Sequence, residues 1–181
     1  MQRLGLNFSQ HPSAIDETPR IGETPASLAA RLAQEKARSL IATYANCIII
    51  GCDQTGSCNG QLLHKPGSVL AAQDQLAQMS GQRATFYTAM TVIHVLNGAV
   101  KTLTHDLDTT QLQLRTLSHE QITAYIAQDN PIDCAGSFKI ESLGIILFDA
   151  VQTSDPSALE GISLIQLTSR LLDLGVRLGA A

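Results

Sequence analysis

Cys47-Ile48-Ile49-Ile50-Gly51-Cys52-Asp53 is the stretch of sequence that decides the fold. Its short, continuous apolar run predicts a strand over residues 47–50 that is buried on both faces and ends at the glycine, cysteine and aspartate that follow. Asp53 is the first candidate for chemistry, because α/β folds present polar groups to ligands at the ends of buried strands. The alternative is a turn aspartate that caps its own backbone.

Helix-capping and turn residues predict the elements on either side of this strand. Thr24-Pro25 and the capping box Ser118-x-x-Gln121 mark helix starts, whereas Asn59-Gly60 and Asn97-Gly98 are hairpin turns. The predicted helices span residues 25–44, 68–81, 118–128 and 162–174. The further predicted strands span residues 55–58, 61–64, 83–96, 99–117 and 143–151. Together they predict an α/β fold, a single domain over residues 1–181 with a central mixed, twisted sheet flanked by helices.

Composition places limits on the function. The chain has 181 residues, a length that suits one globular domain. Its net charge of −4 offers no electrostatic attraction for nucleic acid. No apolar run approaches the roughly 18 residues of a membrane span, and the N-terminal sequence lacks the layout of a signal peptide. The four cysteines have no CxxC spacing, which favours reduced core thiols over a zinc site. We therefore expect a cytoplasmic protein with no nucleic-acid or membrane partner.

Four further polar residues are candidates for a site, and each also has an ordinary structural interpretation. Lys36 falls within a stripe of leucines on the first predicted helix, where lysines commonly extend their amine to solvent. Lys65 follows the first hairpin, and Pro66 stiffens its segment. Glu17 lies in an acidic turn, and the alternative interpretation of this turn is a solvated loop without a function. Glu141 lies in a stretch of small residues that either allows close approach to a ligand or forms a plain loop.

Six motifs, taken in order along the chain, carry a resemblance to a known family. They are DETP, QEKA, IIGCDQ, HKP, CAGSFKIESLG and DPSALEGISLI, which begin at residues 16, 34, 49, 64, 134 and 155. In this order they resemble the Maf-like nucleotide pyrophosphatases, which hydrolyse nucleoside triphosphates to monophosphate and pyrophosphate. The resemblance covers nearly the whole chain. Gln54 and Glu141 resemble the branch that acts on 7-methyl-GTP, whereas the pyrimidine-directed branch usually has threonine and glutamine there.

The resemblance implies roles for the candidate residues. Asp53 matches the catalytic acid/base position, and Glu17, Lys36 and Lys65 match the family's other polar site positions. Asp53 and Glu17 would bind a divalent metal, Mg²⁺ or alternatively Mn²⁺, while the two lysines would neutralise phosphate charge. A nucleoside triphosphate substrate and a homodimer are also implied.

The choice of base also has a chemical argument. A carboxylate only accepts hydrogen bonds, so Glu141 suits the adjacent N1–H and 2-amino donors of guanine, whereas uracil and thymine suit an amide better. N7-methylation puts positive charge on the ring, which favours nearby carboxylates and aromatic faces. The candidate stacking partners are Phe86, Tyr87 and Phe138.

The N-terminal segment departs from the family pattern. QRLGLNF, residues 2–8, resembles a helix end that runs into a strand. Family members normally have, ahead of that helix, a strand and an S-x-S-P-x-R type loop that contacts phosphate. We therefore expect a chain that is N-terminally truncated relative to the family, lacking its first strand and phosphate loop, with lower stability and little activity. Two other functions stay open: a pyrophosphatase that prefers dTTP or UTP, and a catalytically impaired binding or regulatory protein.

Overall fold

The computed structural model describes residues 1–179, in which a five-stranded sheet accompanies four α-helices. The strands are β1 (Cys47–Cys58), β2 (Gln61–Leu63), β3 (Arg83–Leu96), β4 (Ala99–Leu114) and β5 (Phe148–Gln152). The helices are α1 (Pro25–Arg38), α2 (Val69–Met79), α3 (His119–Asp129) and α4 (Leu164–Asp173). The strand order is β2-β1-β3-β4-β5, and the pairs β1–β2 and β4–β5 are antiparallel. The predicted α/β class is confirmed, and none of these helices is long and apolar enough to cross a membrane.

The capping and turn residues act as the sequence predicts. Thr24 and Ser118 each form a capping box at the start of α1 and α3. The residues of the Asn59-Gly60 and Asn97-Gly98 turns all have positive φ, between 50° and 78°. Asparagine and glycine tolerate this backbone conformation, which two-residue hairpin turns require. These boundaries therefore follow from local chemistry.

β1 is longer than the sequence predicts. The strands expected at residues 47–50 and 55–58 are one continuous strand, because the Asn59-Gly60 turn folds β2 back onto the far half of β1. The register pairs Gly56 with Leu63 and Cys58 with Gln61. Asp53 therefore lies in the interior of β1 and not at its end, so its expected position was wrong.

Two predictions for the N-terminal part were also wrong: the end of α1, and a strand directly after the helix end at Gly5. α1 ends at Arg38 rather than near residue 44, because the chain there tightens into turns. One of these turns is closed by a hydrogen bond from Leu40 N to Ala37 O at 3.3 Å. Gln2–Leu4 forms a 3₁₀-helix that ends at Gly5, whose φ is 66°. No strand follows it before α1 within the described residues.

The last predicted strand begins later than expected. Leu143–Leu147 is a 3₁₀-helix, and β5 starts only at Phe148. Gly144 explains the difference, because its N–H donates to Lys139 O at 2.9 Å and closes a tight turn ahead of the strand. A turn closed in this way is incompatible with extended backbone at the same residues.

The described residues form two compact units. Unit 1 comprises Met1–Gln54, Thr88–Asp108 and the chain from Asp155 onward, and unit 2 comprises Thr55–Tyr87 and Thr109–Ser154. In unit 1, one face of the sheet packs against α4 through Met90, Val92, Leu164, Leu167 and Leu171. The opposite face packs against α1 through Ala37, Ile49, Ile93 and Val95. β1 is thus covered on both faces within unit 1, although only Ile49 and Gly51 of its residues there are buried and the others are partly buried. A single domain over the whole chain stays a prediction.

Unit 2 has its own aromatic core. Phe138 makes edge-to-face contacts with Phe86 and Phe148, at ring-centroid distances of 5.3 and 5.0 Å. All three rings are at most 5% exposed. Phe86 and Phe138 are therefore core residues and offer no open ring face to a base, which corrects two of the three candidate stacking partners.

Candidate active site

Three charged side chains of unit 1 meet at the ammonium group of Lys36. Its Nζ lies 2.7 Å from Asp53 Oδ1 and 2.8 Å from Glu17 Oε1. The Asp53 side chain is 10% exposed, that of Lys36 22% and that of Glu17 57%. The cluster therefore extends from a nearly buried carboxylate on β1 to an exposed carboxylate in the segment before α1.

Gly51 explains how α1 brings Lys36 to β1. A Cβ atom at Gly51 would lie only 2.6 Å from Ala37 N and 2.8 Å from Ala37 Cβ, so helix and strand approach closely because the glycine has no side chain. Alternate residues of a strand point to the same face, which places Asp53 on the α1 side together with Gly51. Lys36 adjoins Ala37, and its amine reaches Asp53. Lys36 is therefore held by ion pairs rather than directed into solvent.

The ion pairs of the cluster keep Lys36 charged, whereas burial keeps Cys52, the residue before Asp53 on β1, neutral. Burial by itself lowers the pKa of Lys36, but hydrogen bonds to Asp53 and Glu17 outweigh this effect and raise the pKa above its ordinary value. Burial, helped by the Asp53 charge, raises the pKa of Cys52 to about 12. Cys52 is thus a protonated thiol at neutral pH and a poor nucleophile. All four cysteines are free, as expected of reduced thiols, although only Cys58 is buried.

Arg31 of α1 anchors the segment that carries Glu17, and sequence analysis missed it. Its guanidinium donates to Thr18 O at 3.0 Å and twice to Glu23, at 2.7 and 3.0 Å. The hydrogen bond from Arg31 is the main cause that lowers the pKa of Glu23 to about 2. The only signal in the sequence was that Arg31 shares a helix with Lys36, which does not reveal its loop partner.

Gln54 follows Asp53 along β1 and is fixed by hydrogen bonds within unit 1. Its Nε2 donates to Thr88 Oγ1 at 2.9 Å and to Ala158 O at 2.8 Å. Sequence analysis missed both partners. The DPSALEGISLI motif contained Ala158, but a backbone carbonyl leaves no signature in a sequence.

The remaining two predicted site residues belong to unit 2. Lys65 and Glu141 are both exposed there. Lys139, in the same motif as Glu141, has its Nζ turned to Asp129 O at 3.1 Å. The structure thus brings Glu17, Lys36 and Asp53 into direct contact, while Lys65 and Glu141 are described within unit 2 alone.

These features define an α/β protein with a carboxylate–lysine–carboxylate cluster built on a strand and its packed helix. The model of the Maf family, described as Maf-like protein, matches residues 1–174. The chain therefore belongs to the Maf family.

Proteins similar to this chain include several named 7-methyl-GTP pyrophosphatase. The protein of that name from Xanthomonas oryzae pv. oryzae (strain MAFF 311018) is 43% identical over 178 residues, which cover 98% of this chain and 91% of the relative. The one from Albidiferax ferrireducens is 40% identical over 181 residues, covering 99% and 89%. The one from Hahella chejuensis is 41% identical over 180 residues, covering 98% and 88%.

Proposed function

We propose that this chain is a nucleotide pyrophosphatase that hydrolyses 7-methyl-GTP to 7-methyl-GMP and pyrophosphate. Membership of the Maf family and relatives of that name at 40–43% identity support it. The observation that carries the chemistry is the Lys36 ammonium held between Asp53 and Glu17. Such a cluster offers both a proton acceptor and a phosphate-directed cation on one rigid strand and helix.

Asp53 is the proposed acid/base group. Water attacks the α-phosphorus, a P–O bond forms, and the bond to the bridging oxygen breaks so that pyrophosphate leaves with the electron pair. The proton of the attacking water passes to a carboxylate oxygen of Asp53. Its place inside β1 fixes its position, and the ion pair with Lys36 orients its carboxylate.

Lys36 and Lys65 are the proposed phosphate-directed cations. Lys36 stays protonated, as its raised pKa requires, and its charge stabilises negative charge that develops on the leaving group. Lys65 is exposed in unit 2 and follows the β1–β2 hairpin, where Pro66 stiffens its segment. We assign it to the triphosphate rather than to the base, because an ammonium binds phosphate as a point charge.

Asp53 and Glu17 are the proposed ligands of a divalent cation. Carboxylate oxygens are the donors that Mg²⁺ and Mn²⁺ prefer, so the donor set of the cluster fits. Within residues 1–179 no group of three or more potential ligands is placed to hold a metal ion by itself. This agrees with the usual binding of Mg²⁺ through one or two carboxylates plus substrate phosphates. When bound, the cation would neutralise charge on the triphosphate.

Removal of divalent metal should abolish turnover. We expect excess EDTA to reduce pyrophosphate release from 7-methyl-GTP to background, because without the cation two lysines must offset the charge of two carboxylates and a triphosphate. Added Mg²⁺ should restore the rate, and Mn²⁺ should substitute for it. The control is the thermal stability of the protein in EDTA, which should be unchanged. Activity that persists in excess chelator would contradict the proposed metal dependence.

The preference for 7-methylguanine should depend on Glu141. The wild-type protein should release pyrophosphate faster from 7-methyl-GTP than from UTP or dTTP, and Glu141→Gln should reduce this preference. A carboxylate accepts from two adjacent guanine donors, and one such recognition contact is worth roughly 10- to 150-fold in discrimination. Adding Gln54→Thr should reduce the preference further. The measurement is kcat/KM for each triphosphate.

A matched control is Glu120→Gln, which changes another exposed carboxylate of unit 2. Its kcat/KM ratios should equal those of the wild type. Ratios unchanged in Glu141→Gln would remove Glu141 from base selection. Faster turnover of UTP or dTTP by the wild type would instead assign the enzyme to the pyrimidine-directed branch.

We also propose that the enzyme is a cytoplasmic homodimer. Membership of the Maf family supports both the dimer and the compartment.

A further inference from the structure

The hydrogen bonds around Gln54 determine which way its carboxamide points. The carbonyl oxygen of Ala158 can only accept a hydrogen bond, so the group facing it at 2.8 Å must be the amide nitrogen Nε2 of Gln54. Thr88 Oγ1 donates its proton to the same carbonyl at 2.9 Å, so it must accept the bond from Gln54 Nε2 at 2.9 Å. The two amide protons are thereby both engaged. No rotation of the amide satisfies these partners equally well.

The turn that presents Ala158 O is itself rigidly held. Asp155 is 3% exposed, and its carboxylate accepts hydrogen bonds from the N–H and hydroxyl of Ser157, from the Ser163 hydroxyl and from Ile165 N, at 2.6 to 2.9 Å. Thr88 is 1% exposed and Ala158 is fully buried. Thr88 Oγ1 and Ala158 O, the two acceptors that face the amide nitrogen of Gln54, therefore have fixed positions before any ligand binds.

We propose that Thr88 and the Asp155-anchored turn position Gln54 so that it offers only its carbonyl oxygen to the substrate, and that this oxygen accepts a hydrogen bond from the 2-amino group of a guanine-type base. The proposal rests on the proposed function and names a contact of the same site. Gln54 Oε1 has no hydrogen-bond partner within residues 1–179, and the residue is half-buried rather than enclosed. A freely rotating glutamine could bind either a hydrogen-bond donor or an acceptor of the substrate. A glutamine whose amide nitrogen is already engaged offers only its carbonyl oxygen and therefore selects a donor.

A glutamine that offers only an acceptor can distinguish guanine from the pyrimidine bases. Guanine carries an exocyclic amine beside its ring N–H, so it presents two adjacent donors. Uracil and thymine present one donor flanked by carbonyls, which an acceptor-only group disfavours. Inosine differs from guanosine only by lacking the 2-amino group, so 7-methyl-GTP and 7-methylinosine triphosphate form a matched pair for the hydrogen bonds of that group. Substitutions of Gln54 and Thr88 separate the bond to Gln54 from the bond proposed for Glu141.

The test uses Thr88→Val, which removes the hydroxyl at nearly constant shape, and Thr88→Ser, which keeps it. We expect Thr88→Val to reduce the kcat/KM preference for 7-methyl-GTP over 7-methylinosine triphosphate by roughly 10-fold, because the amide loses one of its two fixed acceptors and is held by Ala158 O alone. Thr88→Ser should retain the wild-type preference. Gln54→Met, which can neither donate nor accept strongly, sets the value for complete loss of the contact.

A second measurement follows the amide without any substrate. The side-chain N–H₂ signals of Gln54, assigned by their loss in Gln54→Met, should exchange slowly with solvent in the wild type and in Thr88→Ser. They should exchange faster in Thr88→Val. This readout reports how firmly the two amide protons are held, even if no nucleotide is hydrolysed.

The outcomes separate the two proposals. An active wild type whose preference is unaffected in Gln54→Met would overturn the contact assigned to Gln54 and leave the proposed function intact. A preference that is unaffected in Thr88→Val but reduced in Gln54→Met would overturn the positioning role of Thr88. A changed ribose-over-deoxyribose preference in place of the changed base preference would move the contact to the sugar and overturn the base assignment. A wild-type protein that hydrolyses no nucleoside triphosphate would contradict the proposed function. It would also contradict the guanine-type ligand assigned to Gln54, whatever the exchange rates show.

Discussion

Replacing Asp53 with asparagine should lower kcat for 7-methyl-GTP hydrolysis by about 100-fold or more while leaving the protein folded. Asparagine has nearly the same shape, but its amide is neither a proton acceptor of useful strength nor a good metal ligand. A positioned general base typically contributes on the order of 10² to 10⁴ in rate. Lys36 keeps Glu17 as a partner in the variant, so its partly buried amine is not left without an ion pair.

The measurement is single-substrate kinetics of purified Asp53→Asn, with circular dichroism to verify the fold. Asp149→Asn is the matched control, because Asp149 is an exposed carboxylate in an ion pair with Arg115. It should turn over at the wild-type rate. A folded Asp53→Asn protein with full activity would exclude Asp53 from the mechanism.

Replacing Asp155 with alanine should destabilise the protein by about 3 kcal/mol. The substitution removes a buried carboxylate and leaves four donors, among them the hydroxyls of Ser157 and Ser163, without their acceptor. Breaking a buried, charged hydrogen-bond network costs about 2–5 kcal/mol. For a chain of this length the melting temperature should fall by roughly 6–12 °C. The control Asp149→Ala removes an exposed ion pair and should cost about 0.5 kcal/mol or less.

The cost of Asp155→Ala should also depend on pH. Burial by itself raises the pKa of Asp155, but hydrogen bonds from Ser157 and Ser163 outweigh it and hold the pKa below the ordinary 3.8. The stabilisation linked to this ionised carboxylate is therefore complete above about pH 4 and is lost as the pH falls through the folded-state pKa. Denaturant unfolding of both proteins at pH 7 and at stepwise lower pH measures this. A free-energy difference that is constant down to the lowest pH at which both fold would contradict the role of the charge.

The candidate site was only partly predictable. Asp53, Lys36 and Glu17 were identified through motif resemblance, and the structure places them in direct contact. The position of Asp53 at a strand end was wrong, because hairpin pairing with β2 extends β1 well past Ile50. Phe86 and Phe138 were expected near the base and lie in the core of unit 2, since an apolar ring in a sequence does not reveal whether it faces a ligand or other rings.

The sequence by itself determined the local features of this protein. The helix starts at Thr24 and Ser118 and the two asparagine–glycine turns depend on atoms within three residues of each other, so they could be inferred from short motifs. Only the tertiary structure decided which side chains meet. Lys36 and Asp53 are 17 positions apart, and Gln54 and Ala158 are 104 positions apart. Such contacts arise from close packing of α1 on Gly51 and from a turn ordered around Asp155, and packing between distant segments is set by the whole folded chain.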